Sequence, residues 1–199
     1  MKTELGGDLM FRVLAMTLTF GLCACGNTVS SLQYSPPGSI QTATSPSIGV
    51  VSATDQRKEE PKRLATVMGG FGNPLKTLDT AKPVKDEVAD AFVLGLRARG
   101  LLASSAQAPF RLALVVRKFD ADMMVGRTAR IDLTMTVVNQ AGATVYEDSA
   151  TDSESETKFF QTGVFADIED LKKLCEIVLT RTVDRLLDKP AFRATLTAR

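Results

Sequence analysis

The sequence predicts an α+β fold, a two-layer sandwich in which a mostly antiparallel sheet carries two amphipathic helices packed on one face. Phe110, Leu112, Leu114 and Val116 alternate with Arg111, Ala113, Val115 and Arg117. Ile131, Leu133, Met135 and Val137 alternate with Asp132, Thr134 and Thr136. A period of two describes strands with one face buried and one wet. Two further stretches each carry a single apolar stripe at helical spacing. A meander with one apolar face and two helices with one stripe apiece bury all three surfaces by stacking in two layers.

Taken in chain order, Val13 to Leu22 is an apolar run preceded by Arg12. Its length suits a signal-peptide core, since a membrane span needs ~20 apolar residues. Glu4 and Asp8 are unusual in a leader, and a start at Met10 would give a cleaner one. Gly26 to Ser47, rich in Ser, Thr, Pro and Gly, reads as a flexible tether with room for a short edge strand at Leu32-Gln33-Tyr34. Ile48 to Ala53 is the first sheet strand. Thr54 to Arg57 and the charged stretch Lys58 to Arg63 form a turn, and Leu64 to Met68 a second short strand. Gly69 to Pro74 reads as a flexible loop. No Lys-Ser/Thr follows its glycines and no helix opens behind it, so it is no phosphate cradle.

Thr80 or Lys82 opens the first helix, with Pro83 in its first turn. Val84, Val88, Ala91, Phe92 and Gly95 share a face, Arg97 and Arg99 sit at the negative end, and Gly100 suits a left-handed cap. After the two alternating strands, Asn139 to Gly142 turns into a third, from Ala143 to about Asp152. The last helix begins at Asp167 and buries Ile168, Leu171, Cys175, Val178, Thr182 and Leu186, and Pro190 stops it.

Composition narrows the function. The chain has 199 residues and a formal charge of +1, so nothing drives it onto nucleic acid by charge alone. It has no histidine, which excludes Ser-His-Asp and Cys-His catalysis and any zinc site built on imidazole. No motif calls for a cofactor or a metal.

The apolar run ends Leu22-Cys23-Ala24-Cys25-Gly26, which resembles the lipobox of bacterial lipoproteins. An aliphatic residue stands three before the cysteine and a small one just before it. The resemblance implies a diacylglyceryl thioether on Cys25, cleavage before it and acylation of the new amine, giving a membrane anchor of several chains. Gly26 is not the Asp that retains such proteins at the inner membrane, so the resemblance implies the outer membrane, with the domain facing the periplasm. Cleavage discards Cys23 and lipidation consumes Cys25, leaving Cys175 as a small core residue. The competing readings are a Cys25–Cys175 disulfide or a Cys-Ala-Cys metal clip. The resulting divisions are a signal peptide at 1–24, lipidated Cys25 and tether at 25–47, one α+β domain at 48–192 and a disordered tail at 193–199.

Val51 to Arg57, the helix end Leu96-Arg97-Ala98-Arg99-Gly100, Phe119 to Asp122 with Gly126, the strand Ile131 to Val137, Gly142 and Gly163-Val164-Phe165 together resemble the YajG-type family of bacterial lipoproteins. The Gly-rich loop and the charge run from Lys58 to Arg63 depart from that pattern. The family implies an envelope lipoprotein and hands over no catalytic residues.

Candidate contacts remain. Asp55 and Arg57 read either as a partner or ligand contact or as a turn in which the carboxylate accepts backbone N–H groups and the guanidinium caps a carbonyl. Phe159, Phe160 and Phe165 read as core covering a sheet edge, or as an apolar patch for a partner or lipid, with Met123 and Met124 raising the same question. Arg111, Arg117, Lys118, Arg127 and Arg130 alternate with acids as a mixed solvated face. The leading expectation is a non-enzymatic, membrane-anchored interaction or accessory module with an envelope protein partner. The alternative is a lipid- or glycan-binding auxiliary subunit of an envelope transport system. A hydrolase using Asp and Glu alone has only scattered carboxylates behind it.

Overall fold

The computed structural model describes residues 26–38, 40, 45–69, 71–105, 108–123, 126–156 and 167–197. The elements are β1 (Gly26–Ser30), β2 (Ile48–Asp55), β3 (Arg63–Met68), β4 (Pro74–Thr80), α1 (Val84–Ala98), β5 (Phe110–Met123), β6 (Arg127–Asn139), β7 (Thr144–Glu156), α2 (Ile168–Leu187) and α3 (Pro190–Thr197). The strands form one sheet in the order β1-β4-β3-β5-β6-β7, with β2 also paired to β5. The long β5–β6 and β6–β7 ladders are antiparallel, as is β3–β4, while β1–β4, β2–β5 and β3–β5 are parallel.

β5 organises the sheet. Its 14 residues extend roughly 46 Å, long enough for two strands to share one edge. β2 pairs with Phe110 to Val116, and β3 pairs with Ala121 to Met123. Between them the register shifts, and Arg117 and Lys118 both face water. This bulge resets the alternation, so Leu112, Leu114 and Val116 share the buried face with Phe119, Ala121 and Met123.

The helices lie over the buried face, α1 across β2 and α2 across β6 and β7. Val84, Val88, Ala91, Phe92 and Gly95 of α1 point inward as the spacing predicts, and Gly100 takes the left-handed conformation at φ 67°. On α2, Ile168, Leu171, Cys175, Val178, Thr182 and Leu186 are buried, and Asp167 caps the helix by accepting from the Glu169 N–H. Phe92, Phe119 and Phe192 are wholly enclosed in one core, each burial contributing roughly 1.5–3 kcal/mol. The Cys175 thiol is sealed in that core, and burial pushes its pKa well above the usual range.

Two expectations need correction. The tether expected at 25–47 is not loose along its first part: β1 pairs with β4 from Gly26 to Ser30, and Tyr34 is buried. β1 is polar because it is an edge strand with little face to bury, so composition alone disguises it. The tail expected to be disordered from 193 continues α3 to Thr197. Pro190 starts this helix, where its missing N–H costs nothing. Phe192 and Leu196, one turn apart, face inward, with the Phe192 ring 5.8 Å from Tyr146.

Gly95 of α1 packs directly against α2. A Cβ there would stand 2.9 Å from Leu187 Cδ1 and from Val183 Cγ1. Gly95→Val should therefore lower unfolding free energy by about 1–3 kcal/mol, read as an earlier urea midpoint with an unchanged slope.

Candidate functional site

Asp55 ends β2 and Arg57 follows it across the gap between β2 and β3. The Arg57 Nε and Nη2 donate to the two Asp55 oxygens at 3.0 and 2.9 Å, and the Arg57 backbone N–H donates to the same carboxylate. Nη1 donates to the carbonyls of Arg63 (2.8 Å) and Phe119 (3.1 Å), and Nη2 also reaches those of Glu60 and Pro61. The Arg57 side chain is 0% exposed. A guanidinium with every nitrogen engaged inside the protein offers nothing to a ligand. The pair is the turn weighed against the contact reading, and it joins the turn before β3 to the bulged middle of β5.

A second buried guanidinium escaped the sequence reading. Arg99, at the C-terminal end of α1, has a side chain 0% exposed. Its Nε donates to Asp188 at 2.9 Å, Nη2 to Asp184 at 2.9 Å, and Nη1 to Tyr34 Oη at 3.1 Å and the Gly95 carbonyl at 3.2 Å. The Tyr34 hydroxyl donates in turn to Asp184 at 2.7 Å. Burial opposes the Arg99 charge, but the bonds to Asp188, Tyr34 and Asp184 outweigh it and its pKa is raised. The Asp188 carboxyl is held below its ordinary value by Arg99, against its partial burial, with Arg193 of α3 assisting. Upstream of Tyr34, the Leu32 N–H donates to Glu87 of α1 and the Gln33 N–H to Glu176 of α2. The N-terminal segment thus runs as a strap over both helices.

The basic residues divide between the two faces. Arg117 pairs with Asp132 at 2.9 Å, and Arg130 pairs with Asp120 and Asp122, on the wet face as expected. Arg127 instead faces the helices. It holds Glu156 at 3.1 Å and Asp170 at 2.6 Å, on either side of residues 157–166. The parity of β6 carried that signal: Arg127 shares its face with Ala129 and Ile131, and Arg130 does not. The acidic run of β7 follows the same rule. Asp148, Asp152 and Glu154 face the helices and meet Lys189, Arg181 and Arg185, while Ser149, Thr151 and Ser153 face away.

Of the other candidate residues, Cys25, Phe159, Phe160, Phe165 and Met124 lie outside the described residues. Met123 is core, 1% exposed. Gly69 to Asn73 closes the β3–β4 hairpin, with the Gly69 N–H donating to the Asn73 carbonyl at 2.7 Å and Gly72 at φ 76°. Among the described residues no group of three His, Cys, Asp or Glu converges as metal ligands, and no helix is long and apolar enough to cross a membrane.

No protein-family model matches the chain, and no curated protein matches it. Solved structures do match. The DUF330 protein XCC0632 from Xanthomonas campestris is 17% identical and superposes with a TM-score of 0.59, over 84% of this chain and 96% of that one. Lipoprotein GNA1162 from Neisseria meningitidis is 9% identical with a TM-score of 0.41, over 73% of this chain and 100% of that one. A minor lipoprotein from Acinetobacter baumannii is 14% identical with a TM-score of 0.41, over 68% and 94%. The Xanthomonas protein shares the fold across most of both chains. The structural neighbours are bacterial proteins, lipoproteins among them.

Tyr34 and Tyr146 are the chain's two tyrosines, and both are pushed up to about 12 from an ordinary value of 10.0. Burial is the main cause for each, followed by the bond to Asp184 or Asp148. A raised phenol pKa contributes stability that is complete below the unfolded value and lost as pH climbs through the folded one. Phenolate absorbance should therefore stay low at pH 10 and rise toward 12 together with loss of structure. Tyr34→Phe should flatten the stability decline across that window.

Proposed function

We propose that the chain is a bacterial envelope lipoprotein, held by acyl chains on Cys25 at the inner leaflet of the outer membrane, and acting there as a non-enzymatic interaction or accessory module. The observation that carries this reading is the lipobox-like run Leu22-Cys23-Ala24-Cys25, followed at once by residues 26–30 paired to β4. Cleavage before Cys25 would keep every described strand and helix in the mature chain. The DUF330 protein that shares the fold, the lipoproteins among the looser neighbours and the likeness to YajG-type proteins support the same reading. Carboxylates such as Asp120, Asp122 and Asp132 are engaged with arginines, which supports a structural role for them over general acid–base work.

The auxiliary-subunit reading needs a cavity between sheet and helices, or an exposed apolar groove near Phe159 and Met123, and Phe159 lies outside the described residues. Met123 packs in the core, and the helix–sheet interface is a continuous cluster of buried side chains. An envelope protein that docks on the outside of the domain fits better than a ligand carried inside it.

Metabolic labelling with radioactive palmitate should mark the chain, and Cys25→Ser should abolish the label and release the protein from the membrane fraction. The mature amino terminus should be a blocked Cys25. An unlabelled product with an uncut leader would overturn the reading.

A further inference from the structure

The strand register places the anchor point at one end of the domain. Gly26 of β1 lies opposite Lys76 of β4, two residues after β4 begins at Pro74. β3 ends there too, with Met68 opposite Pro74, and β5 ends beside it, with Met123 opposite Val67. β6 starts and β7 stops at the same end, since Arg127 pairs with both Met123 and Glu156. The C-terminal end of α2, α3 and the β6–β7 turn at Asn139 to Ala143 lie at the other end.

The β3–β4 turn stands on the anchor end and carries Phe71, which is 102% exposed. No other large hydrophobic side chain is as open among the described residues. A phenyl ring left wholly in water forgoes roughly 1.5–3 kcal/mol available on burial, and no described residue covers it. The turn is closed by the Gly69–Asn73 bond, which fixes Phe71 at its crown. Phe71 stands five positions before Lys76, so the turn reaches at most about 18 Å from the level of Gly26. Cys25 is one peptide unit from Gly26. An acyl chain on Cys25 would therefore bring a lipid surface to the end of the sheet that displays Phe71.

We infer that Phe71 is a second membrane contact, entering the interface of the phospholipid leaflet that holds Cys25. The domain then stands with its β3–β4 end on the bilayer and its α2 C-terminal end directed away. The inference rests on the lipoprotein reading above. Because β1 is paired from its first residue, little slack separates anchor and domain, so the two contacts act on one rigid body. An aromatic ring at headgroup depth suits this role, since it adds apolar burial to an anchor that already fixes the distance.

The chain contains no tryptophan, so Phe71→Trp introduces a lone indole that can be excited apart from the two tyrosines. The full-length protein would be expressed with its leader, and its acylation would be checked by intact mass. It would then be reconstituted into phosphatidylethanolamine–phosphatidylglycerol vesicles with brominated acyl chains. The Phe71→Trp emission should be blue-shifted relative to a Phe71→Trp, Cys25→Ser protein in buffer, and the bromolipid should quench more than half of it. Val145→Trp, near the opposite end of the sheet, should stay unshifted and unquenched. Phe71→Ser should keep the acyl chains yet be extracted from vesicles more readily than the native protein. An acylated Phe71→Trp protein with water-like, unquenched emission would overturn this inference and leave the anchor intact. Absence of acyl chains in the mass spectrum would overturn both.

Discussion

The buried guanidinium of Arg99 is the constraint on which the rest of the structure depends. A charge enclosed by protein is tolerated only when its hydrogen bonds are met by acceptors of opposite charge or strong dipole. Tyr34, Asp184, Asp188 and the Gly95 carbonyl meet that demand from three separate parts of the chain. Satisfying one side chain therefore fixes how α1 lies against α2 and where the N-terminal strap crosses them. Gly95 is bare because the helices come together beside this cluster. Asp188 also takes Arg193, so the short α3 is drawn into the same arrangement.

Arg57 does comparable work within the sheet. Two parallel strands cannot share one edge of β5 without leaving carbonyls unpaired where the first ends and the second has not begun. The Phe119 and Arg63 carbonyls are two of these, and Arg57 donates to both while Asp55 neutralises it. The bulge at Arg117 and Lys118 falls at the same level. Edge, gap and bulge are one solution to the problem of running a long central strand past two short neighbours.

Elements with strong periodicity were legible in the sequence. The stripes of α1 and α2, the Gly100 cap and the alternation of β6 all take the positions their spacing predicts. β4 was not legible, because Thr80 occupies a core position with its hydroxyl bonded to the Lys82 and Lys62 carbonyls, and Lys76 breaks the apolar pattern. β1 was hidden by its polar edge composition, and β5 looked short because its bulge resets the parity. The same cause hid the charged clusters. Arg57, Arg99 and Arg127 are surface residue types by prior, and only their three-dimensional partners make them interior ones. The apolar contact anticipated in Phe159 to Phe165 lies outside the described residues, and the exposed aromatic that the fold does display, Phe71, sat in a stretch read as a plain loop.

These constraints turn the N-terminal segment from a leash into part of the body, which would determine how the domain meets a membrane under the anchoring proposed at Cys25. Amide hydrogen exchange on the protein isolated from its native host tests that claim most directly. The β1 amides that face β4, and those of Leu32 and Gln33, should exchange slowly, and Arg99→Met should release Leu32 and Gln33 while the β5–β6 ladder stays protected. Exchange of those amides at the rate of an unstructured peptide in the native protein would contradict the account.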